Sequence, residues 1–216
     1  MSTNQADIQL HLITNCPTAV PNDNYLRFIE IAANSGISDL QLRQKNWSAA
    51  NLRTFGRELQ SILKPTSVKL IINDNLQLAS ELDADGIHLG QQDSNPDLAR
   101  AVLGSTKKIG LSIESYQQLT TANSLDSIDY VAASAIFHSK SKTNLKHLWG
   151  VDGLQQFCNH SRHPVIAIGG ITRENLASIA TAKISGIAVI SAIHEAADPA
   201  HYISQLRTIL AGESHE

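Results

Sequence analysis

Charged and polar residues gather at a few points along this chain, each time directly behind a short aliphatic run. Gln41-Leu42-Arg43-Gln44-Lys45 closes one run, Asn73-Asp74 the next, and His88-Leu89-Gly90-Gln91-Gln92-Asp93 the one after. In extended backbone, side chains alternate between faces, which sends Gln41, Arg43 and Lys45 one way and Leu42 the other. Farther on stand Ser139-Lys140-Ser141-Lys142, then Gly169-Gly170, then Ser191-Ala192. Asp74 and Asp93 offer hard oxygen ligands, and Mg²⁺ takes one or two protein carboxylates and completes its octahedron with phosphate oxygens and water. Arg43, Lys45 and a lysine of the 140–142 stretch would neutralise the charge left on a polyphosphate. These residue types therefore suit the handling of a diphosphate through a divalent ion. Either acid alone reads as a solvated loop charge; the set behind three consecutive runs is what points to a site.

Other chemistries find less support. Gly169-Gly170 lets a backbone approach an anion and Ser191 adds a hydroxyl, but a tight strand-to-helix turn accounts for the glycines just as well. None of the nine histidines falls in an HExxH or similar pattern, so no zinc site is evident. There is no G-x-S-x-G elbow and no cysteine in a nucleophile's context. His88, flanked by Ile87 and Leu89, reads as a packing histidine behind the site. His160 and His163 precede a strand, on the face away from it. Trp47 and Trp149 flank the rim and are expected to be exposed or half-packed. Glu81, Glu114 and Glu174 lie in or beside helices and take no role.

Residues so scattered need a scaffold that converges them. Strands are expected at Gln9–Ile13, Ile37–Leu42, Val68–Ile72, Gly86–Leu89, Lys108–Leu111, Tyr130–Ala133, Val165–Ile168 and Gly186–Ile190. Helical spacing separates them, for instance Leu52, Phe55, Leu59, Ile62 and Leu63. Ser48, Ser94 with Pro96, Thr172 with Asn175, and Asp198 before Pro199 mark helix starts. Short strands alternating with longer helices imply βαβ units and a parallel sheet. Eight repeats in 216 residues predict an α/β fold, a single-domain (β/α)₈ TIM barrel over 1–216 with flexible tails at 1–7 and 212–216. A doubly wound open sheet is the alternative, but no G-x-G-x-x-G opens the first helix. In such a barrel the site lies at the carboxyl ends of the strands, where the residues above fall.

Composition agrees. Hydrophobic residues are 42% and charged ones 17%, enough for a core and too little charge for disorder. A net charge of −3 argues against a general nucleic-acid binder. Cys16 and Cys158 form no CxxC pair and fit a reducing cytoplasm. No apolar stretch reaches the roughly 20 residues of a membrane helix, and no signal peptide is evident at Met1. A homodimer is the default assembly, although no residue marks an interface.

The segments as a set resemble the thiamine phosphate synthase family, in order and over nearly the whole chain. The resemblance rests on residues 41–45, 70–74 and 84–93, on Pro164 to Thr172 with Glu174-Asn175, and on Ile187 to Ile193. It implies a (β/α)₈ transferase joining 4-amino-2-methyl-5-hydroxymethylpyrimidine diphosphate to a thiazole phosphate by a dissociative step, giving thiamine phosphate and pyrophosphate. By position, Gln41 would bind the pyrimidine, and Arg43, Lys45 and Asn73 the diphosphate. Asp74 and Asp93 would hold Mg²⁺, and Ser112, at the end of strand five, would sit by the reacting pyrimidine. Gly170, Ile190 and Ser191 would bind the thiazole phosphate. Arg43, Lys45, Ser112 and Lys142 are the expected catalytic group. After strand six the family usually reads Gly-x-Gly-Pro-Ile-Phe-Pro-Thr-x-Thr-Lys; here it is Ala133-Ser134-Ala135-Ile136-Phe137-His138-Ser139-Lys140-Ser141-Lys142. Ser139 and Ser141 keep the hydroxyls and Lys142 the cation, while the glycines and both prolines are lost.

Two alternatives stay open at this stage. A thiazole tautomerase of the same superfamily would need an acid/base near the thiazole and no diphosphate clamp. That family tends to carry a histidine shortly after strand five, where this chain has Ser112-Ile113-Glu114-Ser115. A catalytically silent barrel that binds a phosphate ligand would have no need for both acids.

Overall fold

Aliphatic runs of four to six residues, too short for a buried helix, become the strands β1 (Gln9–Ile13), β2 (Asp39–Leu42), β3 (Lys69–Asn73), β4 (Gly86–Leu89), β5 (Lys108–Ile113), β6 (Tyr130–Ser134), β7 (Val165–Ile168) and β8 (Gly186–Val189). All pair in parallel, and the sheet closes in simple sequence order, with β8 returning to β1. The structure, a computed structural model, describes residues 8–18, 20–139 and 147–212. Between the strands run α1 (Asp23–Asn34), α2 (Ala49–Leu63), α3 (Leu76–Glu81), α4 (Pro96–Leu103), α5 (Tyr116–Ala122), α6 (Gly150–His160) and α7 (Arg173–Ile179). After β8 come the short α8 (Ser191–His194) and α9 (Pro199–Leu210). The (β/α)₈ expectation holds and the open sheet is excluded.

Local chemistry sets the boundaries, and in places moves them from the expected ones. Strand β2 begins at Asp39 because Ser38 meets β1 through its hydroxyl, which accepts the Leu10 N–H at 2.7 Å. Strand β5 runs on to Ile113, so Ser112 lies within the ladder instead of after it. The cap of α4 is Asn95, not Ser94: Pro96 takes the first helical position and the Asn95 side chain accepts the Asp97 N–H at 2.7 Å. Ser48 and Asp198 cap as expected, accepting from Asn51 and His201. At α7 the Asn175 amide oxygen reaches back to the Thr172 N–H at 2.8 Å.

Period-2 alternation divides the strand side chains into two layers. Leu10, Leu12, Leu40, Leu42, Leu70, Ile72, Ile87 and Leu89 point outward and are buried against the helices. Each such side chain contributes about 1.5–3 kcal/mol, so the outer layer carries most of the stability and the lumen is free to hold polar groups. The lumen itself is asymmetric. Ile13, Tyr130, Ala132, Ile166 and Ala188 form an apolar cluster on β1 and β6–β8. Strands β2–β5 instead bring Asp39, Gln41, Asn73, His88 and Ser112 inward.

The amino-terminal end of the barrel is closed by a buried polar plug. Asp39, fully buried, takes an ion pair from Lys108 at 2.9 Å, with His11 Nε2 3.4 Å from its other oxygen. Burial lowers the His11 pKa to about 4, against the opposing pull of Asp39, so the ring stays neutral near pH 7.

Candidate active site

At the opposite, carboxyl end the strand tips surround a cavity of about 570 Å³. Its cationic edge is set by β2. Thr14, just past β1, accepts the Arg43 N–H at 2.9 Å and donates to the Arg43 carbonyl at 3.2 Å. This clip holds the exit of β2 so that Gln41, Arg43 and Lys45 all reach the cavity while Leu42 packs outward. Sequence reasoning missed Thr14, because a lone threonine after a strand carries no signal of its own.

The acids come from the next two strand ends. Asp74 takes a left-handed backbone (φ 63°), its N–H donating to the His88 carbonyl at 2.9 Å. Asn73 Nδ2 donates to Asp74 Oδ1 at 2.8 Å. Asp93 folds back over its own loop, and its Oδ2 accepts the Gly90 N–H at 2.6 Å. A Cβ at Gly90 would press on that oxygen at 2.8 Å, so a side chain there would displace the Asp93 carboxylate. The two carboxyl groups are near enough to act on each other's ionisation. The Asp74 pKa is raised to about 7, by burial first, then by Asp93 as hydrogen-bond partner and as charge. Lys45 and Arg43 pull in the opposite direction. Two carboxylates that cannot comfortably both ionise form a donor set that a hard divalent cation would satisfy. Among the described residues no group of three or more His, Cys, Asp or Glu converges as a metal site. A cation here would therefore draw its other ligands from substrate and water.

Between these edges, β5 offers Ser112. His88 Nε2 stands 2.8 Å from Ser112 Oγ, and His88 Nδ1 stands 3.0 Å from the Tyr130 hydroxyl. His88 is thus a buried, bonded histidine behind the site, as its apolar flanks suggested, with its ring edge in the cavity wall. Glu114, given no role on sequence, also lines the cavity where β5 ends.

The far wall comes from β6–β8. Gly169 and Gly170 both have positive φ, 106° and 63°. A Cβ on Gly170 would strike the backbone at Phe137 and His138, and one on Gly169 would strike Ala135. The glycines therefore serve the tight turn and let the loop after β6 lie directly on it, with the Phe137 N–H donating to the Gly169 carbonyl at 3.0 Å. Gly170, Ile190, Ser191 and Ser139 all line the cavity. Ser141 and Lys142 lie outside the described residues. Trp149 departs from its expected half-packed state. It is buried, edge-on to Tyr116 and Phe157 at 4.9 and 5.0 Å, and its Nε1 donates to the Ser134 carbonyl. Trp47 is half-buried against Phe55.

Fold and rim together define a class: a (β/α)₈ enzyme working at the carboxyl ends of its strands, with acids and cations on one side of the mouth and glycine turns on the other. The model of the thiamine monophosphate synthase family matches residues 10–193, and the chain belongs to that family. It is 40% identical over 202 residues to the thiamine-phosphate synthase of Chlamydia abortus, covering 94% of each chain. It is 42% identical over 173 residues to that of Vibrio campbellii, covering 80% of this chain and 84% of the relative. Among solved structures, thiamine phosphate pyrophosphorylase from Pyrococcus furiosus superposes with a TM-score of 0.83 at 25% identity, over 96% of this chain and 98% of that one. No helix among the described residues is long and apolar enough to cross a membrane.

Proposed function

We infer that the chain synthesises thiamine phosphate. It transfers the pyrimidinylmethyl group of 4-amino-2-methyl-5-hydroxymethylpyrimidine diphosphate to 4-methyl-5-(2-phosphoethyl)thiazole. The methylene C–O bond breaks with its electron pair leaving on pyrophosphate, and the thiazole nitrogen's lone pair forms the new C–N bond. The carrying observation is the convergence of Asp74, Asp93, Arg43 and Lys45 on one cavity. Such a departure needs stabilisation of the leaving anion and no protein nucleophile.

Each group then has a task. Arg43, Lys45 and Asn73 bind the diphosphate, and the Thr14 clip keeps Arg43 aimed at it. Gln41 hydrogen-bonds the pyrimidine, and Ser112 sits beside the reacting carbon. Asp74 and Asp93 would hold Mg²⁺, which when bound supplies positive charge against the diphosphate. Gly170, Ile190 and Ser191, with Ser139, Ser141 and Lys142, take the thiazole phosphate side. The two free thiols, Cys16 and Cys158, accord with a cytoplasmic location, and a homodimer is the assembly to expect. Incubating purified protein with both substrates and Mg²⁺ should release pyrophosphate and thiamine phosphate, with neither substrate sufficient alone. No thiamine phosphate under those conditions would refute the assignment.

A further inference from the structure

We propose that Tyr130 and His88 act as positioning residues that fix the Ser112 hydroxyl as a hydrogen-bond donor toward the pyrimidine, an inference resting on the placement of Ser112 beside that ring. The three side chains come from adjacent strands, β6, β4 and β5, and all point into the lumen. Tyr130 Oη lies 3.0 Å from His88 Nδ1, and His88 Nε2 lies 2.8 Å from Ser112 Oγ. The His88 and Tyr130 rings stack at 5.5 Å and 29°. Gly110 makes room for this, since a Cβ there would run into the phenol.

The direction of each bond follows from what each atom can do. Tyr130 is buried, and burial pushes its phenol well above the ordinary range, so it keeps its proton. A buried O–H left without an acceptor costs about 1–3 kcal/mol. His88 Nδ1 is the acceptor it meets, so that nitrogen carries no proton and the neutral imidazole bears its hydrogen on Nε2. Nε2–H then donates to Ser112 Oγ, and the serine's own proton is left for the cavity. In the opposite tautomer Ser112 would donate to His88 and show the cavity only lone pairs, while the tyrosine proton would lose its acceptor. Gln91 holds the serine from outside, its Nε2 donating to the Ser112 carbonyl at 2.7 Å. A ring nitrogen of an aminopyrimidine is an acceptor, the complement of a hydroxyl presented proton-first.

Long-range ¹H–¹⁵N spectra of labelled wild-type protein, assigned with the His88→Gln variant, read the tautomer directly. Nε2 protonated and Nδ1 bare is the expected result; the reverse overturns the proposal. In kinetics, Tyr130→Phe and Ser112→Ala should each lower kcat about tenfold with the diphosphate KM within about twofold, and the double variant should lose no more than either. His88→Gln, which keeps an N–H near the Nε2 position, should retain activity that His88→Ala loses. Additive losses, or full kcat in Tyr130→Phe, would overturn the relay. A wild-type protein that makes no thiamine phosphate would instead refute the functional reading, and the spectrum would still decide the tautomer.

Discussion

Burial first, and then the neighbouring carboxyl of Asp93, disfavour ionisation of Asp74 and raise its pKa to about 7. A carboxyl whose pKa is raised on folding binds more protons folded than unfolded, so its contribution to stability falls as pH rises from about 4 through 7. Asp74→Asn is therefore expected to raise the melting temperature of the metal-free protein by about 2–4 °C at pH 8 and by nothing measurable at pH 4, while eliminating turnover. Thermal melts at the two pH values check this; an equal shift at both would contradict it. Asp93→Ala should also abolish product formation, with a circular dichroism spectrum like the wild type's, because the acid lies on the rim and not in the core. Most such residues were legible in sequence, since alternation within one strand and position behind an aliphatic run suffice to gather Arg43, Lys45, Asp74 and Asp93. Thr14 and Tyr130 were not. Thr14 acts on a backbone 29 residues away and Tyr130 on a ring 42 residues away, distances that only the closed sheet brings to contact.

Strand and helix patterns were legible for a different reason: each is local. All eight strands stand where aliphatic runs were read, with ends shifted by a residue or two where side chains intervene, as Ser38 does before β2. The loop after β6 was less readable. Its likeness to the family weakens there, and the burial of Trp149 depends on Tyr116 and Phe157 arriving from two different helices. The same loop explains Gly169-Gly170, which the sequence left open between an anion cradle and a turn. Gly170→Ala should destabilise the protein by about 1–3 kcal/mol, since it adds both positive-φ strain and a clash with residues 137–138. It should also raise KM for the thiazole phosphate more than for the diphosphate substrate. Urea unfolding and steady-state kinetics test the two effects separately, and equal rises in both KM values would count against a local origin.

At the scale of the molecule, the barrel is plugged at one end and open at the other, and the two ends respond to acid in opposite senses. Neutral His11 has a folded pKa lowered to about 4, so the stability it supports is present above pH 6.5 and lost as pH falls toward 4. Asp74 gains over the same interval. The Asp74→Asn variant should accordingly show a steeper loss of urea midpoint between pH 6.5 and 4 than the parent; parallel curves would deny the compensation. The polar and apolar halves of the lumen have a consequence for descent as well as for chemistry. Because neighbours around the ring are neighbours along the gene, a stretch of coding sequence would, on the proposed site assignment, correspond to one partner of the reaction. On the proposed assignment, substitutions after β6 would retune the thiazole side without disturbing the groups that bind the diphosphate. Recombination between homologues within β6, past Tyr130 so that this residue stays with His88 and Ser112, should therefore yield active hybrids more often than cuts elsewhere.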